Sequence, residues 1–404
     1  MATRALLVAA VAVSVAACSP FGGGAFSCER DDQCNTGKCS SGFCSFADPS
    51  CPSGYRFGDA SGGLANTCVG DNSNIDAAVE IDSKVFLDAP APGVTCFGMG
   101  FGKTCFMEAN LPNAPATVPA GPFNTDNSPL CATNVEGNPP WCVIAATDLT
   151  IATGTLAAIG TKPLVLVATG TLSVNGTIDV ASHRGGQQGA DSNVAAMCDA
   201  GTAPNNSGGG AGGSFGAAGG NGGNNGGVAG AIKPTNAMRG GCPGQDGKSG
   251  MPGAKGLGGG TVYLIAATKI VVGGSINASG AGGSAGVTGN AGGGGGGSGG
   301  LIGLDSPMVT NGGAIFANGG GGAEGSGNAT KGNDGNESIN GAAAAASGST
   351  SNGGDGAAGG ASGAAGNGQD SGGFGGGGGG GGVGAVKLFQ AATITGGTVS
   401  PPPS

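Results

Sequence analysis

One short pattern returns along this chain from residue 143 onward, and it constrains the fold more than any other feature. Leu164-Val-Leu-Val-Ala-Thr-Gly-Thr-Leu-Ser-Val-Asn-Gly-Thr-Ile-Asp-Val-Ala181 aligns without gaps to Val262-Tyr-Leu-Ile-Ala-Ala-Thr-Lys-Ile-Val-Val-Gly-Gly-Ser-Ile-Asn-Ala-Ser279. Copies starting at Ile302 and Val386 fit with one deletion, and a degenerate copy starts near Val143 and includes Leu149-Thr150-Ile151. Each copy reads as two short strands around an Asn-Gly or Gly-Gly turn, with apolar residues alternating at period two. Leu166, Leu264, Leu304 and Leu388 fall at one equivalent position, and Ile178, Ile276, Ile315 and Val399 at another.

No single copy can bury its apolar face, whereas stacked copies can, which is the physical logic of a solenoid. The pattern resembles a parallel β-helix, with equivalent residues stacked in ladders. The expected class is mainly β: an irregular parallel β-helix over 143–400. A β-sandwich built from the same strands is the other arrangement consistent with the pattern.

Glycine-rich insertions interrupt the copies at 183–260, 281–300 and 320–383. The chain holds 96 Gly in 404 residues, and only 10% of its residues are charged. Each Gly costs backbone entropy on ordering, so these tracts must be disordered or adopt a conformation that only Gly allows. In places Gly recurs at every third residue, as in Gly244, Gly247, Gly250, Gly253, Gly256 and Gly259, and in Gly280, Gly283, Gly286, Gly289, Gly292 and Gly295. Shorter runs are Gly353, Gly356 and Gly359, then Gly360, Gly363 and Gly366. Three residues per turn is the period of the polyproline II helix. The spacing resembles the polyglycine-II bundles of Gly-rich antifreeze proteins and phage tail adhesins. Composition favours disorder and periodicity favours packing, so both readings stand at this level.

The first seventeen residues carry a different signal. Arg4 precedes the apolar stretch Ala5–Val15, which is too short to span a bilayer. Val15-Ala16-Ala17-Cys18 follows, and it resembles the bacterial lipobox. The resemblance implies that 1–17 is a cleaved signal peptide and that the Cys18 thiol is lipidated. The residue after the cysteine is Ser19 and not Asp, which in that family implies the outer membrane. Several acyl chains on one residue give stable anchoring.

The cysteine count fits export. Of 13 Cys, Cys18 is set aside for lipid, leaving twelve. They fall into even groups: Cys28, Cys34, Cys39, Cys44, Cys51 and Cys68; then Cys96, Cys105, Cys131 and Cys142; then Cys198 and Cys242. All twelve are disulfide candidates in an oxidising compartment, with pairing inside the first group left open. Residues 28–68 alternate turn residues and cysteines. They resemble the short, loosely EGF-like module near the N-terminus of myxobacterial-type surface lipoproteins. The expected order is a tether at 18–27, a Cys-rich module at 28–68, an acidic linker at 69–93 and a disulfide-containing cap at 94–142 that covers the end of the repeats.

Several chemistries are disfavoured. With 15 Lys and Arg against 24 Asp and Glu, net charge −9, the chain suits neither phosphate nor nucleic acid. Gly247-Lys248-Ser249 ends like a phosphate-binding loop, but Cys242 stands where its first Gly belongs. No C-x-x-C pair suggests zinc, and Asp71 to Asp76 lacks the glycine of a calcium loop. No metal or cofactor is expected. The single His, His183, reads as a solvated residue where a loop begins. Asp148 and Asp179 are the only acidic candidates for a polysaccharide-cleaving site on a β-helix. The function expected is a membrane-anchored structural or adhesive surface protein without catalysis, touching glycans, matrix or other cells. The alternatives are a polysaccharide-active enzyme and an ice- or surface-binding protein using a polyglycine-II face.

Overall fold

The computed structural model describes residues 28, 30–59, 61, 64–70, 93–192, 197–327, 329–347, 351–391 and 393–404. The chain divides into two units, 1–89 and 90–404. The signal peptide, Cys18, the tether and most of the acidic linker lie outside the described residues.

The first unit is held by cross-links rather than by a core. A 3-10 turn, Asp31–Cys34, leads into the antiparallel strands β1 (Lys38–Ser40), β2 (Phe43–Ala47) and β3 (Tyr55–Phe57). The bridges are Cys28–Cys39, Cys34–Cys44 and Cys51–Cys68. Cys28, Cys34 and Cys44 form the buried centre, with Phe46 partly buried against them. Their sulfurs lie close together but are all consumed in bridges, so the geometry offers a metal no thiolate. A segment this short in apolar residues needs such staples.

The second unit opens with an antiparallel hairpin, β4 (Val94–Phe97) and β5 (Thr104–Met107). From there the chain visits three sheets in fixed rotation. Sheet I collects β6 (Ala116–Val118), β9 (Leu149–Ile151), β12 (Thr171–Val174), β15 (Lys269–Val272), β18 (Val309–Asn311) and β21 (Ile394–Thr395). Sheet II collects β7 (Gly121–Asn124), β10 (Thr155–Ile159), β13 (Thr177–Asp179), β16 (Ser275–Asn277), β19 (Ala314–Phe316) and β22 (Thr398–Ser400). Sheet III collects β8 (Cys142–Ala146), β11 (Leu164–Ala168), β14 (Thr261–Ala266), β17 (Leu301–Ser306) and β20 (Ala385–Gln390). Every pairing within these sheets is parallel, and none of the three is closed.

Register follows the repeat. Leu166 pairs with Leu264, Leu264 with Leu304, and Leu304 with Leu388. Ile178, Ile276, Ile315 and Val399 pair in the same way on sheet II. These ladders and those of sheet I meet in one apolar core. Burying each Leu or Ile side chain there stabilises the fold by about 1.5–3 kcal/mol.

Sheet III is apolar on both faces. Leu164 and Leu166 point into the core, whereas Val165, Val167, Tyr263 and Ile265 lie in a second cluster with Phe106. The hairpin and residues 131–141 cover that outer face. Asp305, fully buried, fixes the hairpin: its Oδ2 accepts from the amides of Met99 (2.7 Å) and Gly100 (2.9 Å) and from the Tyr263 hydroxyl (2.9 Å). Gln390 Nε2 donates to the other oxygen. The sequence predicts residues 94–142 as a cap over the end of the repeats, and the structure gives the segment further roles. Part of the segment clads a sheet face, and 116–124 supplies the first strands of sheets I and II, so parallel pairing begins before residue 143.

All three glycine-rich insertions leave sheet II and return to sheet III, from successive strands of the one to successive strands of the other. Stacked there, they bond to one another. Segment 291–300 shows the pattern. Gly292, Gly295 and Ser298 donate to the carbonyls of Lys248, Gln245 and Cys242, while Gly293, Gly296 and Gly299 donate to those of Gly376, Gly379 and Gly382. Gly294, Gly297 and Gly300 donate to Ser284, Ala281 and Ala278, all nine bonds spanning 2.7–3.0 Å. The carbonyls of the same segment accept from Gly253 and Gly256, from Gly210 and Gly213, and from Gly320 and Ala323. The segment thus has six bonded neighbours, three as donor and three as acceptor. Segment 375–384 is surrounded in the same way.

This arrangement explains two kinds of glycine spacing. An interior segment has a neighbour on every side and needs Gly at nearly every position, as in 292–297 and 375–382. An ideal Cβ on Gly294 would lie 2.0 Å from the Ala254 carbonyl oxygen, and one on Gly381 would lie 1.9 Å from that of Gly297. In a peripheral segment the third-position Gly is the buried residue: Gly253 and Gly256 are buried, while Pro252, Ala254 and Lys255 are exposed. The two long period-three runs are each two antiparallel segments. Gly247 bonds to Gly253 and Gly244 to Gly256 across a reversal, and Gly294 and Gly297 bond to Ser284 and Ala281 across another. Asn206, Asn225 and Asn290 take positive φ (48°, 54° and 56°), where Asn is the best-tolerated residue after Gly.

Gly294→Ala is expected to lower unfolding stability by about 1–3 kcal/mol, the usual cost of overpacking. Gly363→Ala, at a position with no atom near the added methyl, is expected to change it by less than about 0.5 kcal/mol. Denaturant unfolding of both variants checks this; equal effects would contradict a close-packed bundle.

Candidate functional site

The bundle's edge carries a cluster of charges. β13 ends at Asp179, and the loop that follows presents His183 and Arg184. His183 Nε2 lies 3.0 Å from Asp179 Oδ2, and Nδ1 lies 2.8 Å from Glu337 Oε2. The Arg184 amide donates to Glu337 Oε1 at 2.6 Å, and its guanidinium reaches the Gly335 carbonyl and Asp334. Asp179 Oδ1 meanwhile accepts from the Ala181 amide, fixing the exit from sheet II. The hydrogen bond to Asp179, then that to Glu337, raises the His183 pKa to about 10 despite partial burial. Burial raises the Glu337 pKa, but His183 and the Arg184 amide outweigh it, so the net shift is downward.

His183 is therefore not a freely solvated loop residue. It is a cationic clasp between the start of one insertion and segment 331–337. Its position is poor for base catalysis, since both ring nitrogens face carboxylates. Asp148 lies elsewhere, in the turn between sheets III and I, where its Oδ1 accepts from the Thr171 amide at 2.7 Å. Asp148 and Asp179 thus bond to different partners and share none.

The remaining candidates are placed as follows. Cys96–Cys105 ties the hairpin, Cys131–Cys142 secures the segment before sheet III, and Cys198–Cys242 joins two parts of the first insertion. Lys248 belongs to a bundle segment, its amide donating to Gly208. Cys198, Asp199, Gln245, Lys248 and Lys255 line an open cleft of about 380 Å³. Cys18 is outside the described residues, and among those described no helix is long and apolar enough to cross a membrane.

Two groups were not singled out from the sequence. Asp191 is buried beside Gly240 and Thr261, and burial lifts its pKa to about 6. Arg239, also buried, lies over the Phe215 ring at 4.9 Å. Isolated charges in Gly- and Ala-rich stretches were the one available hint. A third feature is a row of exposed or half-exposed side chains along sheet I: Thr117, Thr150, Ser173, Val271, Thr310 and Thr395 are successive register partners.

Because His183 binds its proton more tightly when folded, the clasp contributes fully below the unfolded pKa of 6.5. The contribution fades as pH rises through about 10. Unfolding stability measured from pH 6 to 10.5 is expected to fall less steeply in His183→Gln than in the natural chain. Superimposable pH profiles would count against the clasp.

A scan against protein-family models, a search of curated proteins and a search of solved structures each return no match.

Proposed function

We propose that this chain is an exported lipoprotein, anchored through Cys18, that serves as a rigid structural or adhesive element of the outer membrane surface and performs no catalysis. In this reading the three parallel sheets form a β-helix, and the insertions form a polyglycine-II bundle along one of its corners. The observation that carries the proposal is the six-neighbour bonding of segments 291–300 and 375–384. It makes the insertions a stiff body rather than loops, which suits display of a surface more than closure over a substrate. Six disulfides support an oxidising compartment. The partners in this reading are the membrane, through lipid, and glycan, matrix or neighbouring cells, through the exposed faces.

The test has two arms. Cys18→Ser is expected to abolish incorporation of labelled palmitate and to release the protein from the outer-membrane fraction. The purified chain is expected to sediment with whole cells or insoluble glycan without releasing soluble sugar. Retention of Cys18→Ser in the membrane would remove the anchor, and sugar release lost in Asp148→Ala or Asp179→Ala would favour the enzyme.

The row on sheet I favours a second reading, binding to an ordered solid surface such as ice. Parallel strands place its hydroxyl and methyl groups about 4.7–4.9 Å apart. One such row, four Thr with Ser173 and Val271 between them, thus lies on a sheet. Thermal hysteresis in the natural chain, reduced in Thr150→Lys, is the expected signature. No hysteresis in the natural chain would set this reading aside.

A further inference from the structure

The Cys198–Cys242 bridge has surroundings that a purely structural disulfide does not need. Arg239 Nη2 lies 3.4 Å from Cys198 Sγ and 3.3 Å from Cys242 Sγ. The guanidinium is held in place: Nη1 donates to the Met197 carbonyl at 3.3 Å, and Phe215 packs beneath it. Asp191 acts on it through space, but that carboxylate already accepts from the Gly240 amide and the Thr261 hydroxyl. A buried cation aimed at two neutral sulfurs gains little. Aimed at a thiolate, it gains a charge-assisted partner.

The two sulfurs also differ in access. Cys242 is 1% exposed, whereas Cys198 is half-buried and lines the open cleft with Asp199, Lys248 and Lys255. An approaching nucleophile meets Cys198 first.

We propose that Cys198–Cys242 is an exchangeable disulfide, at which an external thiol joins Cys198 while Arg239 holds Cys242 as the departing thiolate. The external thiolate attacks Cys198 Sγ, and the Cys198–Cys242 bond breaks. Its electron pair goes to Cys242 Sγ, which remains as a thiolate beside Arg239, and a mixed disulfide stands on Cys198. If the reagent is a dithiol, its second thiolate attacks its own sulfur in that mixed disulfide and releases Cys198. The dithiol is then oxidised and the protein pair reduced. A leaving thiolate stabilised by a cation departs faster, and its reduced form is favoured. Cys242 stays in place throughout, because its amide donates to Ser298 Oγ at 2.7 Å and its carbonyl accepts from the Ser298 amide. Exchange therefore changes the Cys198 side of the cleft and leaves the bundle bonded.

The full, oxidised chain is incubated natively with glutathione or with dithiothreitol, quenched with iodoacetamide and mapped by peptide mass spectrometry. Cys198 and Cys242 are expected to open about tenfold faster than the other five bridges, with glutathione trapped on Cys198. Arg239→Leu is expected to slow opening about tenfold, and Arg239→Lys to restore part of the rate. Opening no faster than the other bridges, glutathione on Cys242, or an unchanged rate in Arg239→Leu would each overturn the proposal. If Arg239→Leu fails to fold, the order of opening and the site of the adduct in the natural chain still decide it.

Discussion

Every buried amide must find an acceptor, and in a chain with so few large side chains that requirement organises most of the second unit. Where strands are apolar, amides pair within parallel sheets. Where the chain is glycine, successive amides of segment 291–300 point to three different neighbours in turn, and the fourth returns to the first. One backbone rule is satisfied by two geometries. The change between them occurs within a residue or two, as the bundle runs directly into β14, β17 and β20.

The two geometries need each other. The insertions can stack only because they leave successive strands of sheet II at equivalent positions, which the Leu and Ile ladders hold in register. The three sheets in turn are short-stranded and open at their ends. The Gly300 carbonyl, accepting from the Ala385 amide, and the Gly260 carbonyl, accepting from the Leu301 amide, extend sheet III pairing into the bundle. The hairpin completes the unit by cladding the outer face of sheet III, pinned through the Asp305 carboxylate.

Register was legible in the sequence because Leu166, Leu264, Leu304 and Leu388 recur within a gapless or nearly gapless pattern. The role of residues 94–111 was less so. Its signal was present in Leu164-Val-Leu-Val-Ala168, an unbroken apolar run of the sort that marks a strand buried on both faces, but alternation elsewhere in the repeat masked it. The glycine tracts disclosed a period without disclosing partners, since Gly carries no side chain to say which neighbour it faces. Contiguous runs such as 292–297 held further information: they are the positions with no open side. Arg239 and Cys198 could not be brought together from the sequence, because their meeting depends on how the first insertion folds back on itself. His183, Asp179 and Glu337 illustrate the same difficulty, with the third member 154 residues from the first.

The central segments of the bundle, 292–297 and 375–382, are made of peptide groups and hydrogen atoms, with no hydrocarbon side chain of their own. Unfolding apolar surface raises heat capacity, whereas exposing polar surface lowers it. The ladder core should therefore follow the usual curved dependence of stability on temperature, weakening as water is chilled. The bundle releases mainly polar backbone and has a much flatter dependence. A body built this way keeps its cohesion in the cold, where proteins held by apolar burial alone begin to loosen.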